Sequence, residues 1–285
     1  MKDLLQIASD FGYKFISLDD AMKDLAYQEA DNYYAPFGVS WLYRWDFTRG
    51  KVVDWSKEPE VDNNPFIRTK SLNLVDKSRN RSILVALYVS GESKGKAKAD
   101  IIKLPVAIIN HGYQIKNTEY SFIAQALAAH GYFVVSIQHD LVTDVRPKTG
   151  TLWERRKPFW ERGVQNILFV INELQKIEPQ LDFSKVILIG HSDGGDASMM
   201  LAQTHPEMVS KIISLDSRRY PFPRNPKLEI LRFGAIDDEP DEGVVPESGV
   251  QVIYVQSACH IDLSDRGSPE MKDEIKKSII KFLDR

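Results

Sequence analysis

Val186-Ile187-Leu188-Ile189-Gly190-His191-Ser192-Asp193-Gly194-Gly195-Asp196-Ala197-Ser198-Met199 is the stretch that decides how this chain folds. An apolar run, Val186–Gly190, reads as a buried strand. It meets a serine flanked by glycines at 190 and 194, and Gly194-Gly195-Asp196-Ala197-Ser198-Met199 opens a helix directly afterwards. A strand, a tight turn and a helix in this order form a nucleophile elbow. The turn is too tight for bulky flanking side chains, so the glycines let the backbone close up. The strain holds the Ser192 hydroxyl out above the sheet, where the helix N-terminus favours a developing negative charge.

The same rhythm extends outward. Phe66–Val75 and Ser82–Ser90 read as strands separated by the polar turn Asp76–Arg81. Further short apolar runs lie at Pro105–Asn110, Tyr132–Gln138, Ile212–Asp216, Leu228–Ala235 and Val250–Gln256. Continuous hydrophobicity over a few residues suits parallel strands buried on both faces. Amphipathic segments alternate with them at Glu119–His130, Trp153–Ile177, Gly194–Thr204 and Pro269–Leu283. This alternation predicts an α/β fold, a mostly parallel open sheet with helices on both faces. The basic stretch Gly91–Lys103 reads as a solvated loop.

Six histidines are available as base: His111, His130, His139, His191, His205 and His260. Only His260 follows the last strand in a loop before the C-terminal helix. Elbow hydrolases carry their serine, acid and histidine in that chain order, so His260 is the expected base. For the acid two strand ends compete. Asp216 closes one strand, and Asp237 and Asp238 follow the next. A carboxylate at either end can fix the imidazole tautomer and stabilise the imidazolium. The turn Asn110-His111-Gly112-Tyr113 follows its strand where an oxyanion donor is needed, so the two donors are expected to be the backbone N–H groups of Tyr113 and Asp193.

The chain has 285 residues, 43% of them hydrophobic and 27% charged, which excludes a disordered or collagenous chain. A net charge of −3 argues against nucleic acid as a partner engaged through bulk charge. The single cysteine, Cys259, permits no intrachain disulfide and fits a reducing compartment. With no signal-peptide pattern and no apolar run of about 20 residues, the expectation is a cytoplasmic protein without membrane insertion. Residues 1–65 differ from the rest. Tyr33, Tyr34, Trp41, Tyr43, Trp45 and Trp55 crowd there among turn residues, and one helix is expected at Leu18–Asp31.

With these residues in place, a resemblance emerges. Residues 66–285 resemble the platelet-activating-factor acetylhydrolase branch of the α/β-hydrolases. The shared features are the turn His111-Gly112, the helix start Tyr120-Ser121, the helix end His130-Gly131-Tyr132, and Gly190-His191-Ser192-Asp193-Gly194-Gly195. Leu215-Asp216-Ser217-Arg218-Arg219-Tyr220-Pro221 matches the segment that carries that branch's acid, which implies Asp216 as acid; the acidic run Asp237–Glu242 departs from the pattern. The resemblance implies an α/β-hydrolase fold, short acyl groups with acetyl first, and no metal or other cofactor. Gly12–Ala21, Asp24–Tyr27 and Gly38–Trp45 resemble the C-terminal tail of bacterial polysaccharide deacetylases. That family's metal-binding motifs are missing, so its chemistry does not carry over.

The expected function is therefore a serine hydrolase of small-molecule esters, with Ser192, His260 and Asp216 as catalytic residues. The alternatives are a non-catalytic hydrolase scaffold that binds a glycan or partner, and a small-peptide peptidase on the same fold. The loop Thr149–Arg162, with Trp153, Arg155, Arg156, Trp160 and Arg162, is the expected substrate rim. Arg218 and Arg219 are expected to join it and favour a polar or anionic leaving group.

Overall fold

The apolar runs pair into an eight-stranded sheet in the computed structural model, which describes residues 45–46, 51–52, 59, 61–99, 102–145, 147–237 and 239–285. The chain divides into two units, Met1–Glu58 and Pro59–Arg285. In the first, β1 (Trp45–Asp46) and β2 (Lys51–Val52) form a small antiparallel ladder. The helix expected at Leu18–Asp31 and the deacetylase-like segments before Trp45 lie outside the described residues.

The second unit opens ahead of Phe66. Backbone N–H groups of Asp62 and Asn64 donate to Ser121 Oγ and Gln125 Oε1, at 2.8 and 2.7 Å. Its strands are β3 (Ile67–Asp76), β4 (Arg81–Ser90), β5 (Leu104–Asn110), β6 (Phe133–Ile137), β7 (Leu181–His191), β8 (Val209–Leu215), β9 (Glu229–Gly234) and β10 (Val250–Tyr254). In space the order is β10-β9-β8-β7-β5-β6-β4-β3. β3 pairs antiparallel with β4, and β4 with β6; the other neighbours are parallel.

The period of two explains the layers. Val85, Leu87 and Val89 of β4, Val106 and Ile108 of β5, and Leu188 of β7 point into one core cluster. That cluster also takes Trp160, Ile167, Val170 and Leu174 from α3 (Leu152–Ile177) and Met199 and Leu201 from α4 (Asp193–Thr204). Ala107, Ile109 and Ile189, one step along the same strands, are buried outside it. Buried outside it too are Phe122, Ile123 and Leu127 of α2 (Ser121–Ala129) and Ile275, Ile279 and Phe282 of α5 (Pro269–Leu283). Helices thus cover both faces, as the α/β reading expects.

Gly91–Lys98 departs from expectation by forming a helix, α1, where a loop was expected. Ser90 caps it by accepting from Ser93 N at 3.0 Å, and Glu92 pairs with Lys96 one turn on at 2.7 Å. Two glycines and an almost wholly polar surface hide its helical signal, and only Ala97 is buried. The cap of α2 is also invisible locally. The carboxylate of Asp265 accepts from Ser121 N and Phe122 N at 2.9 and 3.2 Å, from 143 or more residues away.

Ile167 is fully buried in α3 against the sheet. Ile167→Ala is expected to lower unfolding stability by about 2–5 kcal/mol in urea titration. A loss under about 1 kcal/mol would contradict this seating of α3.

Candidate active site

In an open parallel sheet, a crevice forms at the strand C-termini where the order reverses direction. Here β5 continues to β6 on one side, while β7 continues to β8 on the other. The two strands at this switch end in Asn110-His111 and in His191-Ser192. Both loops singled out from the sequence therefore meet at one place.

Ser192 sits at φ 50°, ψ −122°, a conformation that side-chain-bearing residues rarely adopt. Close packing holds it there. A Cβ on Gly190 would run into the Gly195 backbone, and one on Gly194 into the Asn110 carbonyl oxygen. Ser192 N donates to Leu215 O at 3.1 Å, so the elbow is tied to the end of β8, one residue before Asp216. Asp193 is the first residue of α4, where backbone N–H groups have no partner within the helix.

Asp216 is fully buried, also with a positive φ of 53°. Its Oδ2 accepts from His260 Nδ1 at 2.7 Å and from Arg218 Nε at 2.8 Å, and its Oδ1 from buried Arg232 at 2.9 Å. Burial alone would raise this carboxyl. The hydrogen bond and charge of His260, followed by the charge of Arg218, outweigh burial and hold it well below the usual carboxylate range. Asp237, a competing candidate, accepts instead from the His260 backbone N at 3.1 Å and from Arg218 at 2.9 Å. Asp238 lies outside the described residues. Ser192 Oγ and the His260 ring share no hydrogen bond among the described residues, a contact that in serine hydrolases tightens once substrate is in place.

The loop after β5 is fixed on both sides of Gly112. His139 N donates to His111 Nε2 at 2.7 Å, so the His111 proton sits on Nδ1 and is donated to Gly112 O at 2.6 Å. Gly112 N donates to Tyr120 Oη at 3.0 Å. Deeper, His139 Nε2 donates to Asn110 Oδ1, Asn110 Nδ2 to Ser198 Oγ, and Ser198 Oγ to Gly194 O, at 2.9, 2.9 and 2.7 Å. This chain clamps the first turn of α4 to β5 and β6. Burial pushes both His111 and His139 down, so both are neutral.

The expected rim is partly aromatic, and most of its arginines are paired. Trp153 stacks on Tyr220 at 5.6 Å, and buried Trp160 meets both edge-on. Arg156 binds Asp193 at 2.7 Å, Arg162 binds Asp140, and Arg219 binds Asp241, the last two at 2.5 Å. With Arg218 held on Asp216 and Asp237, these four charges are compensated. Arg155, in the same rim, is exposed. A cavity of about 20 Å³ behind the elbow, lined by His111, His139, Asp140 and Asp193 among others, has room for about one water and not for an ester. Arg232 and Asp196 were given no role from the sequence, and Tyr120 entered only as part of a helix start; the bonds of all three to Asp216, to Arg219 and Tyr220, and to His191 join residues 16 or more apart.

The sheet order and the elbow give the unit the α/β-hydrolase fold. The chlorophyllase family profile matches residues 87–217. The platelet-activating factor acetylhydrolase of Cavia porcellus is 26% identical over 158 residues, 42% of this chain and 36% of that protein. A Haemophilus influenzae protein, provisionally named as an esterase/lipase, is 31% identical over 121 residues, 42% of this chain and 37% of its own length. The chain thus spans little more than a third of these curated relatives. Ferulic acid esterase from Streptomyces cinnamoneus shares the fold with a TM-score of 0.60 at 18% identity, over 79% of this chain and 91% of that one. Residues 87–217 therefore carry a chlorophyllase- and platelet-activating-factor-acetylhydrolase-like α/β-hydrolase domain. No helix among the described residues is long and apolar enough to cross a membrane.

Asp196, fully buried in the first turn of α4, accepts from Arg219 N and Tyr220 N at 3.2 and 3.0 Å. Burial, with the charge of Asp193 adding, pushes its carboxyl up to about 7. Between its ordinary value and 7 the folded chain keeps a proton that the unfolded chain has released. Stability from this group therefore falls as pH rises through that window, on the order of a few kcal/mol. Asp196→Asn keeps an acceptor for both N–H groups and removes that fall. Its urea midpoint is expected to exceed the wild type's by more at pH 8 than at pH 5; an equal difference at both would refute the raised carboxyl.

Proposed function

We propose that this chain is a serine esterase cleaving short-chain carboxylic esters, acetyl esters foremost, through an acyl-enzyme on Ser192. The observation that carries the reading is the 2.7 Å bond from His260 Nδ1 to the buried Asp216 carboxylate. It lies at the strand ends that also hold the strained Ser192.

In this reading Asp216 holds the His260 proton on Nδ1, leaving Nε2 to take the proton of Ser192 as Oγ attacks the ester carbonyl. The backbone N–H groups of Tyr113 and Asp193 donate to the tetrahedral oxyanion, each contributing about 3 kcal/mol. Collapse breaks the ester bond, and His260 returns its proton to the departing alcohol. Water then gives a proton to His260 and attacks the acyl-enzyme, releasing the carboxylic acid and restoring Ser192. No step calls on a cofactor. Acetyl preference is supported by the likeness to a platelet-activating factor acetylhydrolase and by residues 216–228, which contain no helix that would form a lid. A reducing, cytoplasmic setting suits a chain whose single cysteine, Cys259, can form no intrachain disulfide.

Hydrolysis of p-nitrophenyl acetate, butyrate and octanoate tests the proposal. Wild type is expected to prefer acetate, and Ser192→Ala to lose at least about a thousandfold in kcat. Equal activity in both proteins, or none in wild type, would sink the esterase reading. For the acid, Asp216→Asn is expected to lower kcat by about 10³–10⁴, with Asp238→Asn near wild type. The reverse ranking would move the acid to Asp238.

A further inference from the structure

Three loops far apart in sequence are joined by one buried chain of hydrogen bonds. Gly112 N donates to Tyr120 Oη at 3.0 Å; Tyr120 Oη lies 2.8 Å from His191 Nδ1; His191 Nε2 lies 3.0 Å from the His260 carbonyl oxygen. The carbonyl only accepts, so His191 Nε2 carries a proton and donates it. His191 Nδ1 is then the acceptor, and Tyr120 Oη–H donates to it. Every group in the chain is satisfied by a neutral His191 and by no other assignment. Tyr120 is 1% exposed and His191 fully buried. Burial, followed by the charge of His260, pushes His191 well below the ordinary histidine value.

We propose that Tyr120 and His191 are positioning residues that set the oxyanion donor and the base relative to the nucleophile. This rests on the esterase reading. At one end the chain holds the peptide before Gly112, while His111 holds the Gly112 carbonyl. In a planar trans peptide the Tyr113 N–H points opposite that carbonyl, so both bonds together aim it. A Cβ on Gly112 would sit 2.8 Å from His191 Nδ1, so the loop rests directly on the His191 ring. At the other end the chain holds the His260 backbone, as Asp216 holds its ring. The His191 and His260 rings are 4.5 Å apart, and a neutral His191 leaves room for the imidazolium that His260 becomes. His191, next to Ser192 in sequence, thus ties the elbow to both loops.

Two measurements test this. Tyr120→Phe keeps the ring and removes the link. With p-nitrophenyl acetate, kcat is expected to fall about ten- to a hundredfold with KM within about twofold, since misaligned donors and base count in the transition state. His191→Gln, which keeps a donor towards the His260 carbonyl, is expected to retain more kcat than His191→Leu. A Tyr120→Phe kcat within twofold of wild type, with melting temperature unchanged, would overturn the proposal. The second measurement needs no activity: ¹⁵N NMR of histidine-labelled protein follows the His191 ring. The chain requires a neutral ring protonated on Nε2 from pH 5 to pH 8 in wild type. A proton on Nδ1, or titration within that range, overturns it. An inactive wild type with the expected His191 spectrum would instead refute the esterase reading and leave the chain of bonds standing.

Discussion

The rest of the site depends on one steric constraint: Ser192 held at a positive φ between β7 and α4. Such a residue costs of order 1–3 kcal/mol, and it persists only where its surroundings over-determine it. Here they do so from three sides. Gly190, Gly194 and Gly195 allow backbone contacts that any side chain would block. The end of β8 takes the Ser192 N–H. The ladder from His139 through Asn110 and Ser198 to Gly194 binds the first turn of α4 to the neighbouring strands.

Around that constraint, burial sorts two carboxylates into opposite states. Asp216 is buried among two arginines and a histidine, so it is held ionised. Asp196 is buried beside Asp193 and takes only backbone N–H groups, so it is driven towards the neutral form. The difference lies in their neighbours, because both are wholly buried. In the proposed mechanism an ionised Asp216 suits His260 as a base that becomes positively charged. A carboxyl held neutral below about pH 7, in the turn after Ser192, adds little charge there to oppose the oxyanion of the proposed mechanism.

Much of this was legible in the residue string. The elbow could be read because its strand, glycines and helix are contiguous, so the steric requirement is written in adjacent residues. His260 could be placed by its position after the last strand. The strands were readable from apolar runs, with boundaries that shifted by a residue or a few: β7 begins at Leu181, before the run at Val186. The helix at Gly91–Lys98 was not readable, since its glycines and polar face imitate a loop. Nor could composition tell that Arg156, Arg162 and Arg219 are paired, because Asp193, Asp140 and Asp241 reach them only in space.

The sequence by itself determined the α/β class, the serine at the elbow, the glycines it needs and the histidine that follows the final strand. These are local requirements of backbone geometry and chain order. Tertiary structure decided which carboxylate meets the imidazole: Asp216 takes Nδ1, while Asp237 takes only the backbone N–H of His260. It also decided that Tyr120, His191 and His260 form one chain, and that Asp265 caps a helix 143 residues or more away. Strand order brings those residues together, and hydrogen bonds between distant residues leave no mark in the spacing of either partner.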